Sequence, residues 1–194
     1  MKKIIISFVL LMTTVCGHAD IFNLGVKGGV NFSTIGIDGF SDNSYRVGFN
    51  GGMVTSVNLP IVGLGIQAEA LYTLKGCDVP LMGEDYAMKL GYVEVPVYLR
   101  WKFNLPIVKP YIGVGPYLGY AVYKDFDEAA ESFVKSDDVQ DFDWGVGITG
   151  GVELIDKVQV GISYQWGVQN IYDGLGDGTL RNQNLAISVG FMFF

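Results

Sequence analysis

The side chains in this chain with the means to do chemistry are nine charges at strand-like spacing: Lys27, Arg46, Lys75, Arg100 and Lys102, with Glu69, Glu94, Asp143 and Glu153. Each is flanked in sequence by apolar residues or glycine, and five cations against four carboxylates nearly cancel. Such a set can pair inside an enclosed space, where an unpaired ion would cost several kcal/mol. The expected role is therefore an ionic network that plugs an interior. The alternative is a gate or proton path that opens when pairs rearrange.

Nucleophilic and metal catalysis lack their usual parts. The one histidine, His18, and one of the two cysteines, Cys16, fall in an N-terminal leader. Past that leader there is no imidazole to act as general base or zinc ligand, and Cys77 alone can form no internal disulfide. No cluster singles out a Ser/Lys or carboxylate-only site. A non-enzyme is expected, with no catalytic residue, no metal site and no cofactor.

The charges need elements that hold them apart from their apolar neighbours, and residues 92–103, YVEVPVYLRWKF, show the device. In an extended strand Val93, Val95, Val97, Leu99, Trp101 and Phe103 share one face, and Tyr92, Glu94, Tyr98, Arg100 and Lys102 share the other. The same alternation recurs over 21–33, 45–59, 64–75, 110–123, 142–154, 158–169 and 184–193. The apolar face of these eight segments carries no charge, and the connections alternate long and short, including a long polar loop from 76 to about 90. Segments of this length cross a bilayer when tilted, provided closure pairs every backbone group. The sequence predicts an all-β fold, an eight-stranded antiparallel up-and-down transmembrane β-barrel with three short periplasmic turns and four long extracellular loops.

A soluble barrel with its apolar face inward has the same alternation. Two features oppose it. The polar face is crowded with Gly, Ala and Ser, which suit the inside of a narrow cylinder better than a solvated exterior. Aromatics on the apolar face gather at its ends, Tyr45, Tyr72, Tyr120, Trp144 and Trp166 toward the loops and Phe22, Trp101, Phe103 and Phe193 toward the turns. Two such girdles match the two interfaces of a membrane.

Lys2 and Lys3 precede the apolar run IIISFVLLMTTV, with Gly17 and Ala19 at positions −3 and −1 of a cleavage site. Residues 1–19 read as a secretory signal peptide and 20–194 as the barrel domain. Cys16 follows a poor lipobox. Without the leader, 11 basic residues face 20 acidic ones, a net charge of −9, which argues against nucleic acid as a partner.

The segment EVPVYLRWKF, the strand YIGVGPYLGY, the stretch from Asp143 to Leu154 and the terminal Phe194 together resemble the small outer-membrane β-barrel family of Bacteroidota, the PorT-like and OmpX/OmpA-like barrels. The resemblance spans the mature chain and implies export to the bacterial outer membrane. It also implies contact with outer-membrane lipid and lipopolysaccharide, and recognition of Phe194 by the barrel-assembly machinery. The last strand departs from the family habit, because its alternation points Val189, Phe191 and Phe193 outward rather than the final residue. Barrel hydrolases and acyltransferases rely on histidine and are not resembled.

The loop at 124–141 carries seven carboxylates against Lys124 and Lys135, a local charge of −5. It reads as a solvated loop; the sharper reading is a divalent-cation site bridging to lipopolysaccharide. Asp173 to Gly178, DGLGDG, lacks full calcium-loop spacing. The function expected is that of an envelope or surface-interaction protein with a plugged lumen, meeting a protein partner at its extracellular loops. The alternatives are a PorT-like accessory of a secretion or transport system, and a narrow channel.

Overall fold

A computed structural model describes residues 22–37, 46–59, 63–81, 84–103, 105–126, 141–168 and 180–193. They form eight strands: β1 (Phe22–Ile37), β2 (Arg46–Asn58), β3 (Leu64–Leu81), β4 (Glu84–Lys102), β5 (Val108–Phe126), β6 (Phe142–Leu154), β7 (Val158–Gly167) and β8 (Leu180–Met192). Each pairs antiparallel with the next, and β1 closes on β8 from Gly25↔Met192 to Ile37↔Leu180. The fold is the closed eight-stranded antiparallel barrel that the alternation predicts. Among the described residues no helix is long and apolar enough to cross a membrane.

The two faces of the wall have opposite chemistry. On β4, Val93, Val95, Val97, Leu99 and Trp101 are 37–56% exposed, whereas Tyr92, Glu94, Tyr98 and Arg100 are at most 1% exposed. The pattern repeats on β2, β5 and β6, so the apolar side looks out and the polar side is sealed within. On β8, Val189, Phe191 and Phe193 face out while Met192 is buried, the register that the alternation implies.

Inside, large and small side chains interlock. Tyr98, Tyr111 and Tyr117 reach from β4 and β5 across to β6 and β7, where glycines leave room. A Cβ on Gly161 would stand 2.3 Å from the Tyr111 hydroxyl, and one on Gly151 2.8 Å from it. Gly145 likewise gives way to the ring of Tyr117. The high glycine content of the inward face is thus the counterpart of its tyrosines, since side chains must fill a barrel this narrow.

One connection corrects the expected pattern. The segment from 76 to about 90 is no loop: β3 and β4 stay paired from Lys75↔Leu90 to Leu81↔Glu84, so only residues 82–83 join them. The register of β2 with β3 ends at Asn50↔Thr73, while β4 stays paired with β5 up to Met88↔Phe126. The hairpin therefore rises beyond the β2 side of the rim. Local pairing wins over the breakers Gly76 and Pro80, while Gly83 falls in the two-residue link. Pro80 is tolerated because a prolyl residue, which lacks an N–H, suits a strand edge.

Candidate functional site: the lumen and its two rims

Inward parity brings eight of the nine predicted charges into the barrel as its buried charged groups: Lys27, Lys75, Arg100 and Lys102 with Glu69, Glu94, Asp143 and Glu153. Four cations meet four carboxylates. Arg46 also has inward parity but begins β2 at the loop-side rim, where it is only half-buried, outside this set. The strand ends there, so its side chain is not enclosed by wall on all sides.

Toward the turns, one network runs across five strands. Lys27 Nζ donates to both oxygens of Glu69, at 2.8 and 3.0 Å. Gln67 donates its amide to Glu69 and accepts from Arg100 through its carbonyl, which also accepts from Gln159 Nε2 at 3.2 Å. Glu153 then accepts from Arg100 at 3.3 Å and Lys102 at 2.9 Å. The Arg100 guanidinium lies 4.1 Å from the centre of the Tyr111 ring, a cation–π contact in a dry setting. At the turn rim Lys109 donates to Asp156 at 2.5 and 2.6 Å, with Lys102 at 3.9 Å. Partial burial pushes the Asp156 carboxyl up, but the hydrogen bond and charge of Lys109, joined by Lys102, hold it below the ordinary carboxylate range.

Toward the loops, Lys75 pairs with Glu94 and lies 3.5 Å from Asp143. Thr73 Oγ1 donates to Glu94 at 3.0 Å, and the Tyr117 hydroxyl lies 3.3 Å from both oxygens of Asp143. The Lys75 ammonium also sits 5.3 and 5.1 Å from the ring centres of Tyr92 and Tyr117. Leu90, Tyr92 and Ala121 form an apolar cluster beside this cage.

Parity alone does not single out the uncharged partners Gln67, Thr73, Gln159, Tyr111 and Tyr117, although it places all of them on the polar face. Lys109 and Asp156 lie at a strand end and a turn, where alternation gives no signal. Among the described residues no group of His, Cys, Asp and Glu is arranged to hold a metal ion.

With an ionic interior and an apolar exterior in place, the sequence comparison becomes decisive: the family model for the outer membrane protein beta-barrel domain matches residues 19–173. The chain belongs to that family. Its place is the bacterial outer membrane.

Solved barrels of the outer membrane share the fold. Neisserial surface protein A aligns with a TM-score of 0.51 and 16% identity, over 88% of this chain and 97% of that one. OprG from Pseudomonas aeruginosa gives 0.53 and 12%, over 89% and 96%. The outer membrane enzyme PagL gives 0.50 and 12%, over 84% and 97%. No curated protein matches.

In this barrel the predicted girdle residues Tyr72, Tyr120, Trp144 and Trp166 lie exposed toward the loops, and Trp101, Phe103 and Phe193 toward the turns. Trp101 stacks on Phe103 with 5.4 Å between ring centres. Phe22 is the exception: it has outward parity yet is only 9% exposed. It is the first residue of β1, at the turn rim opposite Val57 of β2, where the strand ends and period-two alternation no longer dictates which way a side chain points. Tyr45, the leader 1–19, the carboxylates at 127–140, Asp173 to Gly178 and Phe194 lie outside the described residues.

Proposed function

We propose that this protein is a closed envelope barrel that acts through its loop end as a surface-interaction protein. The neutral, buried lumen carries the reading. Between the two networks a void lined by Lys27, Glu69 and Glu94 measures about 10 Å³, room for one water at most. Paired charges at this spacing leave little room for a hydrated ion, which supports a closed lumen.

The loop end has the features of a contact surface. The β3–β4 hairpin rises past the last β2 pairing, and a paired hairpin presents a partner with a stiffer surface than a loop of equal length. The acidic loop starts later than the sequence suggests, because Lys124 to Phe126 still pair within β5; residues 127–141 join β5 to β6 on the same side and favour a basic protein surface, or lipopolysaccharide bridged by divalent cations. Catalysis is not part of this reading, because no histidine follows His18 and the likeness to PagL is one of fold. The leader 1–19 would be removed on export, and Phe194 would be read by the barrel-assembly machinery.

Planar-bilayer recording tests the closed lumen: the purified barrel should give negligible conductance at neutral pH, and stable ion-selective openings would overturn the proposal. A second reading, a PorT-like accessory of a secretion system, is favoured by the segment EVPVYLRWKF. Photo-crosslinkers separate the two. Adducts from the β3–β4 hairpin support surface interaction, whereas adducts confined to the turn rim at Lys109 and Lys157 support the accessory role.

A further inference from the structure

Between its two networks the lumen is lined by smaller side chains. At mid-height Gly29 of β1 pairs with Asn50 of β2 on one side and Ser188 of β8 on the other, and Ser163 of β7 pairs with Ala186 of β8. These short residues leave a void of about 10 Å³, which Lys27 and Asn184 also border. A site that is polar and has room for one probe sphere meets the two conditions for a buried water.

The hydrogen bonds around this void do not close among the side chains themselves. Asn50 and Asn184 are 5% and 4% exposed, and the side-chain oxygen of each is buried with no donor. The Asn184 amide is oriented by its Nδ2, which donates to Gln165 Oε1 at 3.1 Å and leaves Oδ1 as the free end. Lys27 uses at most two of its three N–H groups on the oxygens of Glu69, so one remains to donate. One spare donor and two spare acceptors thus border one space. Buried polar groups are nearly always paired, with protein or with ordered water, and a water molecule supplies the complement of this set.

We propose that this void is a binding site for one internal water, which accepts from Lys27 Nζ and donates to Asn50 Oδ1 and Asn184 Oδ1. Three hydrogen bonds are the usual complement of a buried water. A sodium ion would also seek the two oxygens, but the Lys27 ammonium beside them repels it. The water fastens the barrel's closure from the inside. Lys27 on β1 leans toward Glu69 on β3, and Asn184 on β8 leans toward Gln165 on β7, so the polar side chains on either side of the β1–β8 pair turn away from it, and the water joins them across it.

Oxygen-17 magnetic relaxation dispersion of the folded barrel in micelles counts its long-lived waters and tests this. Asn50→Leu and Asn184→Leu, which each remove an acceptor and fill the space, should lower the count by about one water relative to wild type. Thr55→Val, on the outer face of β2, should leave it unchanged. Heat-modifiable migration on gels reports that each variant is folded. Should either leucine variant fail to fold, a high-resolution crystal structure of wild type decides: density within hydrogen-bond distance of both Asn50 Oδ1 and Asn184 Oδ1 supports the site. Equal counts in wild type and both folded leucine variants overturn the proposal, as does a crystal structure in which another side chain fills the space. The inference rests on the closed lumen of the proposed function, and the two fail separately. Stable conductance would overturn the closed lumen, whereas a non-conducting barrel whose count is unmoved by the leucine variants would overturn the water site alone.

Discussion

Glu153 accepts from Arg100 and Lys102 at once, so removing it strands two cations where water cannot follow. Glu153→Ala should cost about 3–5 kcal/mol, read from urea unfolding in detergent micelles, while Glu153→Gln, which keeps an acceptor, should cost less. Asp156 differs because it is 53% exposed at the rim. Its carboxyl is held below the ordinary range by Lys109 and Lys102 against the effect of partial burial. A depressed carboxyl contributes stability above its unfolded value, near ~4, and loses it as pH falls through the folded value. Wild type should therefore exceed Asp156→Asn in stability at pH 7 by well under about 1 kcal/mol, and the gap should close in acid; a gap that widens below pH ~4 contradicts the assignment. Period-two parity made eight of the nine lumen charges legible. It could not say which carboxylate meets which cation, because pairing depends on inter-strand register, which no single strand encodes.

Elements extend the same logic to segments. The β6–β7 link, residues 155–157, has Ile155 at φ 52° and Asp156 at φ 58°, closed by a hydrogen bond from Lys157 N–H to the Leu154 carbonyl at 3.0 Å. Both central residues are left-handed, the geometry of a type I′ turn, which favours Asn and Gly and penalises a β-branched side chain. Ile155 is 73% exposed, so Ile155→Asn forfeits little burial and should raise stability by about 1 kcal/mol, visible as a higher urea midpoint. The β3–β4 hairpin was the element least legible in the sequence. Cys77, Val79, Leu81, Tyr86 and Met88 do alternate, but Gly76, Pro80 and Gly83 are breakers, and past the membrane no lipid enforces a long apolar face. Because the β2–β3 register ends at Thr73, replacing residues 78–87 by a tight turn should leave the barrel folded and heat-modifiable while removing crosslinks formed by the hairpin. Loss of folding in that variant would make the hairpin part of the barrel's stability rather than its contact surface.

At the scale of the whole molecule, burial runs opposite to that of a soluble protein, with Arg100 among the largest buried side chains and the three tryptophans and most of the described Ile and Val residues outside. Alternation alone fits either sense of the wall; the small residues on the polar face tip the choice, because only a filled interior has use for glycine opposite tyrosine. The three tryptophans, Trp101, Trp144 and Trp166, are each 42–53% exposed on the outer surface, so in a bilayer they must be in contact with lipid. Trp101 lies at the turn side and the other two at the loop side, which puts all three near the interfaces rather than the midplane. In vesicles of brominated phosphatidylcholine, fluorescence of the folded barrel should be quenched strongly, and more by bromines near the headgroup than by bromines near the chain terminus. A barrel with its apolar face inward would shield all three indoles and stay dispersed without detergent, so quenching that is weak and independent of bromine depth would reverse the sense of the wall.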